Sequence, residues 1–142
     1  MNQNYDQVAD LLLANKLSWE RDAITALLFA GETFDPSNKT VADLTTGAKA
    51  AQRINGRVFI ERMALGLPVA FPKVEAGPEY QIILVQDIGN NDPNLLAWID
   101  ANADDSPITV QRTGTLIIRP VLPTEPLPGL PSNGGVWMRF PA

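Results

Sequence analysis

The chain has 142 residues, of which 45% are apolar and 19% charged, with a net charge of −5. That is the length of one domain with a buried core, too apolar for bulk disorder. It is too acidic for a duplex binder, which needs Lys and Arg gathered against phosphates, and the seven Arg are scattered. The sequence contains no His and no Cys. This removes Ser-His-Asp catalysis, disulfides and thiolate metal sites. Few charges and 12 prolines suit a surface that packs against neighbours, or simply a Pro-rich β domain. No apolar run reaches the ~20 residues of a membrane helix, and the N-terminus has no basic stretch of a signal peptide. The expected setting is the cytosol, or a particle assembled there.

Taken in chain order, Gln3 to Asn15 is the best helix candidate. Tyr5, Val8, Leu11 and Leu12 share one helical face, with Asp6 and Asp10 early and Lys16 late, as the helix dipole favours. That face docks on the chain's own sheet or on a neighbour. Asp22 to Ala30 ends in a wholly apolar run, which predicts a central strand covered on both faces, with a helix as the competing reading because Ala and Leu are good helix formers. Phe34 to Lys39 reads as loop, and Thr40 as the N-cap of a single helical turn. Thr45 to Gln52 is small and polar, and is expected to be an exposed loop. Asn55-Gly56 is the clearest hairpin signal, because both residues accept the positive φ of a type I′ turn. Leu67 to Pro72 is apolar but bracketed by Pro68 and Pro72, which confine it to an edge strand or an extended arm.

The centre of the chain is Glu79 to Pro120. Tyr80–Val85, Leu95–Ile99 and the pair Ile108–Val110 with Thr115–Ile118 predict three strands separated by turn formers. The remainder, 120–142, holds six prolines and reads as an extended arm. Its tip, Val136 to Phe140, is too rich in large side chains to lie bare in solvent, so it plugs a groove on its own body or on a neighbour. The expected fold is mainly β, a β-sandwich or partly open barrel over 1–119, with one N-terminal α-helix and an extended Pro-rich C-terminal arm over 120–142.

Reactive motifs are scarce. No nucleophile motif surrounds Ser18, Ser37, Ser106 or Ser132, and no glycine-rich phosphate loop occurs. Asp100 to Asp105 opens like a calcium loop, but the sixth position is Asp105 and the twelfth is Gln111, where such loops need Gly and Glu. It reads as a solvated turn or an adventitious cation site. Trp19 and Trp98 read as core. No catalytic residue, metal ligand or cofactor is expected.

Four stretches together carry a resemblance. They are Trp19-Glu20-Arg21-Asp22-Ala23-Ile24; Phe34-Asp35-Pro36 with Thr40-Val41-Ala42-Asp43-Leu44; Asp87 and Gly89 with Leu95-Leu96-Ala97-Trp98-Ile99-Asp100; and Ser106-Pro107-Ile108-Thr109-Val110 with Gly114 to Ile118. In this order, over residues 5–119, the chain resembles small structural proteins of tailed-bacteriophage virions. It departs from them between Arg53 and Glu79, where the family has an acidic run, and in the added tail beyond Pro120. The resemblance implies a non-enzymatic virion component, assembled in the host cytoplasm. In its leading form this is a capsid decoration, or cement, protein that binds the outer head surface as a homotrimer. Its partners would be the major capsid protein and its own copies, with no nucleic acid and no membrane. The alternatives are a tail or neck component, or a receptor- or carbohydrate-binding module. The expected contact residues are Val8, Leu11 and Leu12 on the helix, Leu67, Val69 and Phe71 on the Pro-bracketed edge, and Trp137, Met138 and Phe140 on the arm.

Overall fold

The structure is a computed structural model and describes residues 2–89, 91–125 and 127–141. In chain order the elements are β1 (Asn2–Asn4), α1 (Gln7–Leu13), β2 (Ala23–Ala30), a 3-10 turn (Val41–Asp43), β3 (Ala50–Arg53), β4 (Val58–Ile60), β5 (Met63–Gly66), β6 (Val69–Val74), β7 (Tyr80–Asp87), β8 (Asn94–Ile99), β9 (Gly114–Ile118) and β10 (Gly135–Arg139). One sheet has five antiparallel strands in the order β1-β8-β7-β2-β3. Facing it are a three-stranded sheet, β10-β5-β4, and a two-stranded ribbon, β6-β9. The expected mainly-β, sandwich-like class with one short N-terminal helix is what the chain adopts.

The five-stranded sheet is apolar on both faces, which is why its central strands are continuous hydrophobic runs. Ile24, Ala26 and Leu28 of β2, with Ile82 and Leu84 of β7, face the second layer and pack with Phe71, Leu116, Ile118 and Trp137. The alternate residues Phe29, Ile83 and Val85 face outward into a second cluster with Tyr5, Leu95 and Trp98. That outer face is closed by the segment after β2, whose Phe34, Val41 and Leu44 lie against it. Phe34 wedges between Tyr5 and Trp98, with ring centroids 5.1 and 5.6 Å away. The Asp43 carboxylate accepts the backbone N–H groups of Lys39 and Thr40 at 2.9 and 3.2 Å, fixing the single helical turn expected there.

The helix is shorter than the periodicity suggests. Its first residues are instead β1, which pairs with β8 through Asn2↔Ile99, Gln3↔Trp98 and Asn4↔Ala97. The open edge of an apolar central strand outweighs the weak helix preference of Asn-Gln-Asn. Likewise the expected loop at 45–52 gives way at its end to β3, which covers the other edge beside β2. β6 behaves as Pro68 and Pro72 demand: it sits in a two-stranded ribbon, with a bulge between Phe71 and Val74.

The hairpin turn falls elsewhere than at Asn55-Gly56. Gly56 has φ +62, but Asn55 is not left-handed, and Asn55 accepts a backbone bond from Leu67 at 3.0 Å. The two-residue connection is Glu61-Arg62, with Ile60 opposite Met63 and φ of 49 and 68. Both positions are left-handed, the type I′ requirement, and neither residue prefers it. Each non-glycine residue held there costs roughly 1–2 kcal/mol, less for Asn. Replacing the pair by Asn-Gly (Glu61→Asn, Arg62→Gly) should therefore raise stability by about 1–2 kcal/mol. Urea denaturation measures this; a lower midpoint would mean the two side chains hold the hairpin by other contacts.

Candidate interaction surface

Several polar and charged side chains are tied into the fold. Glu32, 6% exposed just beyond β2, accepts hydrogen bonds from the backbone N–H groups of Thr33, Thr45 and Thr46 and from the Thr45 and Thr46 hydroxyls. Burial pushes its carboxyl pKa up, and the bonds from Thr46, Thr45 and Thr33 outweigh that, so it lies below the usual glutamate range. The Asp22 carboxylate accepts from Ser18 N–H at 2.7 Å and Gln86 Nε2 at 2.8 Å. Gln86, 3% exposed, also donates to Lys16 O and accepts from Asn94. This network ties the connection between α1 and β2 to β7 and β8. The Arg57 guanidinium donates to the carbonyls of Trp19, Ile54 and Asp22. The Tyr5 hydroxyl is the one buried side-chain polar atom without a hydrogen-bond partner among the described residues.

The acidic stretch 100–105 closes on itself. Asp104 accepts from Ser106 N and Oγ, and Asn102 donates to Ser106 Oγ and Pro107 O. Asp105 takes a left-handed φ of 65 to complete the turn. Asp87, a second member of the suspected acidic end, accepts from Thr25 at 2.7 Å and lies 3.5 Å from Arg53. Among the described residues no group of three or more acidic side chains could hold a metal ion.

Most of the expected contact residues lie in this chain's own core. Val8, Val69, Phe71, Trp137, Met138 and Phe140 are buried there, and Leu11 and Leu12 are half-buried against the same cluster. Leu67 is half-buried over Gly56. The helix face therefore docks on its own body. The arm's end is β10, paired with β5, so of the two covers expected for Val136 to Phe140 it is the chain's own body that supplies it. The Trp137 indole N–H donates to Leu67 O at 3.1 Å, and its ring lies over Gly66, where a Cβ would come 3.2 Å from it. The division between body and arm at residue 119 thus applies only to the stretch before β10.

One open region lies at two strand edges. A groove of about 450 Å³ runs between β1 and β10, lined by Asn2, Gln3, Asn4, Val121, Met138 and Arg139 among others. Large apolar side chains are exposed nearby, Val121 at 46% and Leu122 at 63%. Val121 pairs with Val136 on β10, and from Leu122, beside the groove, the arm has no strand partner among the described residues. Sequence reading missed Asn2–Asn4, which carry no strand signal, and Leu122, hidden among prolines. One signal was present: Thr115, Ile117, Arg119 and Val121 alternate with Leu116, Ile118 and Pro120, and the first set is outward-facing.

No helix among the described residues is long and apolar enough to cross a membrane. Comparison with protein-family models, with curated proteins and with solved structures finds no match.

Proposed function

We propose that this chain is a tailed-phage virion structural protein, a capsid decoration protein that binds the outer head surface, bridges capsid subunits and self-associates, as a trimer in its leading form. The virion assignment rests on the four sequence stretches from Trp19 to Ile118. What supports an interface role is the conjunction of an open strand edge, the groove beside it and an exposed apolar arm at the same end of the molecule. The Glu32 and Asp22 carboxylates and the Arg57 guanidinium bond backbone groups of the chain's own fold, which leaves the open edge, the groove and the arm as the features that support binding a partner. A specific interface of about 1,600 Å² can be tight when its core is well packed, and a strand edge gains main-chain hydrogen bonds as well.

Co-sedimentation with heads of the phage that carries the gene tests this. Saturable binding to expanded heads, at hundreds of copies per particle, is the expected result. A handful of copies would place the protein at the neck or tail, and no binding to expanded heads would sink the decoration role.

A further inference from the structure

We infer that the groove between β1 and β10 receives residues Leu122–Glu125 of a second copy of this chain. The inference rests on the self-associating role proposed above and names the segment that carries it.

The receiving edge is β1. Tyr5 N–H donates to Leu96 O at 3.0 Å, so the antiparallel alternation turns Tyr5 and Gln3 toward β8 and the backbone groups of Asn2 and Asn4 away from it. On that outer side the link to β10 is a side chain: Asn4 Nδ2 donates to Arg139 O at 2.7 Å. β1 also lacks the charges and prolines by which exposed edges discourage pairing.

The donor segment has matching features. No backbone hydrogen bond holds Leu122 to Glu125 to the described residues of their own chain. Leu122 and Thr124 carry N–H and C=O groups two residues apart, the same period as Asn2 and Asn4. Pro123 lies between them and cannot donate on the opposite side, so the segment is built to pair along one edge and stop.

Charge selects the occupant. Glu125 is the one charged residue between Arg119 and Arg139 in the sequence. Arg139 is the charged residue lining the groove. Both are exposed, and neither has an ion-pair partner among the described residues of its own chain. Because the arm leaves beside its own groove, one face carries both halves of the contact, as a reciprocal pair or a closed ring of copies requires.

Charge reversal of the full-length protein tests this by sedimentation across a concentration series. Arg139→Glu and Glu125→Arg should each weaken self-association roughly tenfold or more, as like charges across an interface do. The double reversal should restore it, and far-UV circular dichroism should show all three variants folded. Single variants that self-associate like the parent, a double variant that fails to recover, or a parent that stays monomeric would each overturn the exchange. Head binding by the same variants separates the two levels. Loss of self-association with head binding intact leaves the decoration role standing. Charge effects on head binding alone would give the groove to a capsid segment and overturn the second-copy occupant.

Discussion

Deleting residues 135–142 should abolish the cooperative fold rather than trim a tail. β10 and the residue after it put three large side chains into the main core: Trp137, Met138 and Phe140 are 2%, 5% and 6% exposed. Truncating a buried Trp or Phe to Ala alone costs roughly 3–5 kcal/mol, against a typical total stability of about 5–15 kcal/mol. The deletion also strips β5 of a partner on one side and leaves the carbonyl that the Trp137 indole satisfied, Leu67 O, without that bond. Phe140 adds a second tie, since its N–H donates to Arg62 O at 2.8 Å and its ring packs, tilted, against Phe59 with centroids 4.9 Å apart. The shortened chain should lose its near-UV dichroism and its sharp urea transition. Phe140→Ala, a gentler change, should keep the fold and lower stability by about 3–5 kcal/mol. A truncated chain with the parent's urea midpoint would mean that β10 is an accessory.

The same strand shows where sequence reasoning stops. Composition correctly demands that Trp137, Met138 and Phe140 be covered, because a solvated tail does not hold such residues. It carries no information on whose groove covers them, since an intramolecular and an intermolecular cover bury the same side chains. β2, β7 and β8 were readable because a strand buried on both faces must be an apolar run, and the chain has few other places for one. β1 and β3 were not. Asn-Gln-Asn and Ala-Ala-Gln-Arg have little strand preference of their own, and become strands because β8 and β2 offer edges. The hairpin was misplaced for a related reason. Asn55-Gly56 satisfies the local rule, yet pairing of Val58–Ile60 with Met63–Gly66 fixes the turn at Glu61-Arg62 and imposes left-handed backbone on residues that resist it. The resemblance-bearing residues Trp19, Asp22, Phe34 and Asp43 all turn out to hold the body together, through Leu65 O, Ser18 and Gln86, the rings of Tyr5 and Trp98, and the 3-10 turn respectively. They therefore say more about the fold than about a partner.

Replacing Glu32 should loosen the cover over the outer face of the large sheet. Its carboxylate fastens Thr45 and Thr46, at the far end of the segment whose Phe34, Val41 and Leu44 seal that face. Glu32→Gln retains the shape but turns one end of the group into a donor facing N–H and O–H donors. Leaving such groups unsatisfied costs roughly 1–3 kcal/mol, toward the upper end for a charged acceptor; Glu32→Ala, which also frees the Thr45 and Thr46 amides, should cost at least as much. The pH dependence gives an independent check. Because the folded pKa is depressed, the folded state holds the carboxylate unprotonated where the unfolded chain binds a proton. The stabilisation is therefore complete above the ordinary glutamate pKa and is lost as pH falls through the lower folded value. The parent should lose stability on acidification through that interval, and Glu32→Gln should show a shallower acid slope with an already lowered plateau at neutral pH. Hydrogen exchange should localise the change to residues 33–48 and to the amides of Thr45 and Thr46. Equal acid slopes in the two proteins would show that other carboxylates, Asp43 among them, carry the acid sensitivity, and that Glu32 is a neutral fastening.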